Sequence, residues 1–437
     1  MRATLRERLE ALGDAFWLRP ALLVAAALVL SQFAIAAEAA GWTGASLPGG
    51  WIFQGGEAGA RSMLGAIASS TIGVAGTTFS ITVAALSLAS GQMGPRLLRN
   101  FVRDGGNQVA LGIFLGTFVY ALLVLRTVRA TDEGAFVPHL AVTGAIALAL
   151  LCVGTLVWFV HHVAAGINVE TVIGLVHAEL RDTVERMVAQ EPSPDPPPAP
   201  RGGAPACIPG GGYLRALDEE ALADWAAEAG ATLVLRARPG DHLFPGVPVA
   251  EVLPPEAAAA ATPRLEAAMT LGDRRAAAQD PEFAVRQLAE IAVRALSPGI
   301  NDPFTAIAVL DRFGDALCRL ANRPLRSPVQ WRQGRAVLFR RAVDHDGLLD
   351  AMLHMIRQNG RGSAAVLIRL MEVLEAVLAV ERDPARRAAL HRHAALALAA
   401  GRDGLTEPDA VRDLEAAFAR LEAGGGRAEL DPGPASA

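Results

Sequence analysis

Apolar residues crowd into four stretches near the start of the chain that contain no Asp, Glu, Lys or Arg: Ala21–Ala37, Ser62–Pro95, Gly105–Leu125 and Gly134–Val160. Each approaches or exceeds the ~20 helical residues that cross a hydrocarbon core. Backbone groups in lipid must bond within their own segment, which leaves helices as the reading. The pattern predicts spans near 17–38, 62–92, 106–126 and 136–160, within a transmembrane domain of residues 1–165. The second stretch is longer than a bilayer is thick, so its helix is expected to tilt, to kink near Gly73 or Gly76, or to emerge into water.

Past the fourth span the periodicity changes. Val169, Val172, Ile173, Val176, Leu180, Val184 and Met187 form one helical stripe, so residues 166–190 are expected to continue the span as an amphipathic stalk. The stalk packs on the soluble region or on copies of itself. Residues 191–212 have no apolar period and alternate Pro-rich with Gly-rich sequence, which predicts a linker containing Cys207. Gly210–Gly212 lack the lysine and the strand-to-helix setting of a phosphate cradle.

Residues 213–255 read as a small β-rich module with one helix over Glu219–Ala229. Asp218 is placed to cap that helix, Gly230 to end it, and Leu217 and Leu222 to staple its start. A strand is expected at Val247–Val252, after turns at Pro239-Gly240 and Pro245-Gly246. Gly240, Asp241 and Gly246 match the short hammerhead of biotinyl and lipoyl folds, but the chain has no lysine to modify.

Residues 256–423 read as a mainly helical domain, with helices near 281–296, 303–320, 346–358, 363–381, 384–400 and 408–423 and a strand at Ala336–Arg341. Three starts share one device: Asp280-Pro281, Asp302-Pro303 and Asp383-Pro384 each set a capping carboxylate before a proline at the first helical position. Residues 424–437 are expected to be a disordered tail. The predicted fold class is therefore membrane α-helical, with about four transmembrane helices, followed by a cytoplasmic α+β region made of a small β module and a helical domain.

Composition narrows the chemistry. All 40 basic residues are Arg, which excludes Schiff-base, biotinyl and Walker-type lysines together. A net charge of −5 without a clustered basic excess argues against nucleic acid as a partner. Cys152, Cys207 and Cys318 form no CxxC pair. His161 and His162 are neighbours, about 100° apart on a helix, and His391 and His393 likewise face different sides. His242, His345 and His354 have no metal-ligand spacing, so no metal or cofactor site is predicted from linear order. An enzyme ranks last among the readings, because no nucleophile and base pair is visible.

Arginine placement sets the topology. Arg2, Arg6, Arg8 and Arg19 precede the first span and Arg96, Arg99 and Arg103 follow the second, whereas the loop between those spans has Arg61 against Glu38 and Glu57. The positive-inside rule then puts the N-terminus and the C-terminal region in the cytoplasm, with Arg126 and Arg129 as exceptions. Small residues at Ala36, Ala37, Ala39 and Ala40 would suit signal-peptide cleavage, but the long apolar run and the acidic Glu7, Glu10 and Asp14 favour retention.

Three groups of residues are candidates for function. Ser297, Gly299, Asn301 and Asp302, in RALSPGINDPFTA, either cap one helix after another or form a polar ligand site at a helix N-terminus. Ser69, Gly73, Thr77, Ser80 and Ser87 recur at helical spacing along the second span and either pack helices closely or line a pore in an oligomer. Arg96, Arg99, Arg103, His161 and His162 are expected at the membrane interface.

RALSPGINDPFTA, together with the stretch from Thr77 to Val128 that includes TTFSITVAALSLASGQMGPRLLRN, resembles the bacterial predicted membrane proteins grouped as domain of unknown function 2254, over roughly residues 10–400. The resemblance implies an inner-membrane protein with several N-terminal spans and a cytoplasmic C-terminal domain, and it transfers no site residue. The favoured role is sensing or regulation at the membrane, with a small-molecule or protein partner. An oligomeric channel or transporter lined by the second span is the alternative. The expected surroundings are a lipid bilayer and, for the alternative, further copies of the chain.

Overall fold

The structure, a computed structural model, describes residues 16–40, 52–93, 104–131, 134–166, 168–189, 196–277, 279–341 and 343–425. The chain divides into two compact units at Thr171/Val172. Arg96, Arg99, Arg103 and nearly all of the expected tail lie outside the described residues.

The first unit holds α1 (Leu18–Ala39), α2 (Glu57–Met93), α3 (Gly105–Thr127) and α4 (His139–Gly166), with a hairpin of β1 (Arg129–Thr131) and β2 (Gly134–Phe136) between the last two helices. Each of the four helices carries a stretch long and apolar enough to cross a membrane. Helix α3 is central and packs against the other three. Phe114, Tyr120, Ala121 and Val124 are fully buried along it, and the Tyr120 hydroxyl donates to the Ala141 carbonyl at 3.1 Å. Glycine lets α1 approach: a Cβ on Gly112 would lie 2.5 Å from Leu23 Cδ1 and 3.1 Å from Pro20 Cα. Helix α2 runs unbroken for 37 residues, about 55 Å at 1.5 Å per residue, with no interruption at Gly73 or Gly76.

Polar side chains gather at the ends of these helices. At one end Glu38 accepts from the Leu140 amide at 2.9 Å, satisfying an orphan donor of α4, and Arg61 donates to the Val128 carbonyl at 2.7 Å. At the other, Asp104 caps α3 by accepting from the Gly106 amide at 2.9 Å and reaches His162 Nε2 at 2.5 Å.

Helix α5 (Val169–Met187), the expected stalk, begins just before the boundary and lies mostly in the second unit. A five-stranded sheet follows in the order β3 (Ala204–Cys207), β7 (Pro248–Leu253), β5 (Thr232–Leu235), β10 (Arg335–Phe339), β9 (Val329–Arg332). A three-stranded sheet runs β6 (His242–Leu243), β4 (Gly212–Leu217), β8 (Met269–Gly272). Helices α6 (Glu219–Glu228) and α7 (Ala258–Ala268) pack on these strands, with Leu214, Leu222, Leu233, Val252 and Leu265 in one core.

Two expectations are corrected here. The segment expected to be an unpaired linker contains β3, including Cys207, which pairs antiparallel with β7 at the sheet edge, where Pro205 needs no amide donor. The β module does not end at residue 255. Strand β10 pairs in parallel with β5 and brings β9 with it, so the sheet is completed from the region expected to be mainly helical.

The remaining helices are α8 (Phe283–Ala295), α9 (Pro303–Leu320), α10 (His345–Asn359), α11 (Ala364–Val380), α12 (Pro384–Gly404) and α13 (Pro408–Gly425). Asp302 and Asp383 cap α9 and α12 through the two amides expected of such carboxylates, and Asp218 caps α6 through the Ala221 amide at 3.0 Å. Asp280 departs from the pattern. Its carboxylate is drawn into a buried ion pair with Arg275 at 2.7 Å and turns the chain through the Glu282 amide, so α8 starts only at Phe283, without a side-chain cap.

The close approach of α1 to α3 makes a paired substitution informative. Gly112→Leu must displace Leu23 and the Pro20 backbone and is expected to cost ~1–3 kcal/mol, lowering the thermal midpoint of the detergent-solubilised protein. Gly154→Leu, on α4 with open space beyond its Cα, is expected to leave that midpoint unchanged.

Candidate functional site

The RALSPGINDPFTA junction uses its polar atoms internally. Ser297 Oγ donates to the Arg294 carbonyl at 2.7 Å, and Asp302 accepts from the amides of Phe304 and Thr305 and from the Thr305 hydroxyl at 2.6 Å. Gly299 and Asn301 are exposed, Asn301 with a left-handed φ of 52°. The arrangement is that of one helix ending and the next being capped.

On α2 the candidates share an outward face. Ser69, Gly73, Thr77, Ser80 and Ser87 are exposed, and the hydroxyls of Ser69, Thr77 and Ser80 donate to carbonyls four residues earlier at 2.7, 3.0 and 3.0 Å. Ile72, Phe79, Ile81 and Val83 are exposed beside them. Of the interfacial residues, His161 is exposed, while His162 stacks on Trp158 and pairs with Asp104.

Helix α5 is fixed into the second unit by polar contacts as well as by its stripe. Ile173, Val176, Leu180 and Val184 are buried. His177 Nε2 sits 2.9 Å from Asp315 of α9, Arg323 grips both carboxylate oxygens of Glu185 at 2.8 Å, and Val188 bridges to Leu325. Burial lowers the His177 pKa against the opposing pull of Asp315.

A cavity of about 250 Å³ lies beside the turn between β6 and β7, lined by Arg236, Asp241, His242, Phe244, Val247 and Arg341. Its arginines are already engaged, Arg236 with Glu251 and Arg341 with Asp241 at 3.4 Å.

Among the described residues, a cluster of histidines around one carboxylate lies elsewhere. Asp344 caps α10 through the Gly347 amide at 2.7 Å, and one turn of helical spacing places Asp350 and His354 on the same face. Asp383 and Pro384 set the start of α12, which packs against α10 and carries His393. Three nitrogens converge on Asp350 Oδ1: His354 Nε2 at 2.9 Å, His393 Nε2 at 3.1 Å and an Arg392 guanidinium nitrogen at 2.8 Å. His391 faces the other way and meets Glu422 of α13 at 2.8 Å.

His393 is only 1% exposed, and its Nδ1 is buried without a hydrogen-bond partner. Burial first, then the charges of Arg392 and His354, push its pKa down to about 4, so the ring is neutral at pH 7. Burial works against the Asp350 charge, but the Arg392 hydrogen bond and the three surrounding basic groups hold its carboxyl below the usual range. Linear order hides this cluster because its members come from two helices, and the pairing of α10 with α12 is a tertiary fact. The readable signal is the i, i+4 pair of Asp350 and His354.

Because the unfolded His393 takes up a proton near pH 6.5 and the folded one resists until about 4, protonation favours unfolding. Stability is therefore expected to fall as pH drops through that window, by roughly 3 kcal/mol from this group. His393→Leu is expected to flatten the slope of thermal midpoint against pH between 6.5 and 4. An unchanged slope would contradict the assignment.

Residues 13–376 match the family model described as predicted membrane protein (DUF2254). The chain is 34% identical over 384 residues to uncharacterized proteins of Mycobacterium tuberculosis (strain CDC 1551 / Oshkosh) and Mycobacterium bovis (strain ATCC BAA-935 / AF2122/97), covering 85% of this chain and 74% of each relative. No solved structure matches. Asp350 and His354 fall within the family match and His393 beyond it. The chain belongs to the predicted membrane protein family DUF2254, domain of unknown function 2254.

Proposed function

We propose that this chain is a multi-pass protein of the bacterial inner membrane, with its N-terminus and second unit in the cytoplasm, and that it senses or regulates by coupling that unit to its spans. One observation carries the reading. Helix α4 ends at Gly166 and α5 begins at Val169, while α5 is fixed within the second unit by its buried stripe, His177–Asp315 and Glu185–Arg323. A change of packing in the second unit therefore has a short covalent path to the last span. Regulation by a bound partner needs such a path, because a ligand shifts a distant element only through a difference in free energy between two arrangements.

The arginine distribution supports the orientation, since the Asp104 and His162 end of the first unit adjoins, in sequence, the segment bearing Arg96, Arg99 and Arg103. A second reading, an oligomeric channel, draws on the exposed Ser69, Gly73, Thr77, Ser80 and Ser87 face of α2. The hydroxyls of Ser69, Thr77 and Ser80 are bonded to their own helix, which suits lipid or a neighbouring helix as well as water.

Hydrogen exchange of the full chain in lipid nanodiscs tests the coupling. His177→Ala with Asp315→Ala loosens α5 and is expected to raise exchange in the second half of α4 as well as in α5. An effect confined to α5 and α9 would contradict the proposal. Ionic current from the reconstituted protein would favour the channel reading instead.

A further inference from the structure

We propose that Asp350, His354 and His393 form a binding site for one divalent transition-metal ion of the zinc class. This inference goes beyond the regulatory reading and does not rest on it.

The donor set selects the class of ion. Two imidazole nitrogens and one carboxylate oxygen suit zinc and its first-row neighbours, whereas magnesium and calcium require oxygen ligands throughout. The spacing fits as well. Ligands about 2.0–2.2 Å from a tetrahedral ion stand about 3.4 Å apart. Asp350 Oδ1 is 2.9 Å from His354 Nε2 and 3.1 Å from His393 Nε2, and all three ligand atoms lie within 4.8 Å of one another. A few tenths of an ångström lengthen the two Asp350 distances to that value, and side-chain rotation of the partly exposed His354 sets the third, leaving a fourth position for water.

The buried member of the set is also placed to ligate. His393 is 1% exposed and directs Nε2 at Asp350 Oδ1, so an ion binding there meets that nitrogen as its proton is released to solvent. An ion-pair network alone accounts for Asp350, His354 and Arg392, which are partly exposed and could solvate separately. The buried His393 directs Nε2 at the same oxygen, which brings a second imidazole from α12 to the site.

Arg392 is the competitor. Its guanidinium lies 2.8 Å from Asp350 Oδ1 and 3.4 Å from His393 Nε2, where an incoming cation would sit, and its side chain is 42% exposed. Metal binding displaces it into solvent and replaces a mobile cation by one that ties α10 to α12. Arg392 therefore sets the affinity without being a ligand.

The test uses the full chain in detergent, purified through a tag free of histidine and titrated with Co²⁺, whose visible absorption reports four-coordinate nitrogen and oxygen ligation. One Co²⁺ per chain is expected, displaced by Zn²⁺. His354→Ala and Asp350→Asn, at partly exposed positions, are each expected to weaken it at least about tenfold. Arg392→Gln is expected to tighten it, an effect that damage to the fold cannot imitate. Absence of a stoichiometric ion, or an ion whose affinity ignores all three substitutions, would overturn the proposal.

Discussion

Satisfaction of the backbone at helix ends is the constraint on which the rest of this structure depends. An apolar surround supplies no hydrogen bonds, so four helices close their own ladders, and the orphan groups at their termini must find partners where the helices leave it. Glu38 on the Leu140 amide, Arg61 on the Val128 carbonyl and Asp104 on the Gly106 amide are those partners. They mark the two polar ends of the first unit. The same requirement recurs in the second unit, where Asp218, Asp302, Asp344 and Asp383 fix where helices begin and thus which faces meet.

What is legible in the sequence follows from this. A cap is local chemistry within four residues, so the helix expected at 303–320 lies at Pro303–Leu320, and the stalk stripe reappears as the buried face of α5. Asp280 shows the limit of such reasoning. There one carboxylate oxygen pairs with Arg275 while the other accepts from the Glu282 amide, and the helix expected near 281 begins at Phe283. Pairing between distant segments is not legible either. Strand β10 reaches β5 across about a hundred residues, and β3 emerges from sequence whose prolines and glycines carry no strand signal.

The candidate sites divide along the same line. Ser297 and Asp302 are visible because helix punctuation is visible, and their oxygens turn out to be spent on that punctuation. The Asp350, His354 and His393 cluster is invisible in linear order because two helices contribute to it, and its chemistry exists only once α10 and α12 are packed. Burial then does what no spacing rule reports: it lowers the His393 pKa beside the carboxylate that Arg392 also meets.

We propose that the second unit lies on the arginine-rich side of the membrane. Labelling with a membrane-impermeant maleimide tests it most directly, in bacterial spheroplasts expressing the full chain with Ser46→Cys between the first two spans. The thiol introduced at position 46 is expected to react from outside, while Cys207 reacts only after the membrane is opened. Labelling of Cys207 in sealed spheroplasts, with the introduced thiol protected, would contradict it.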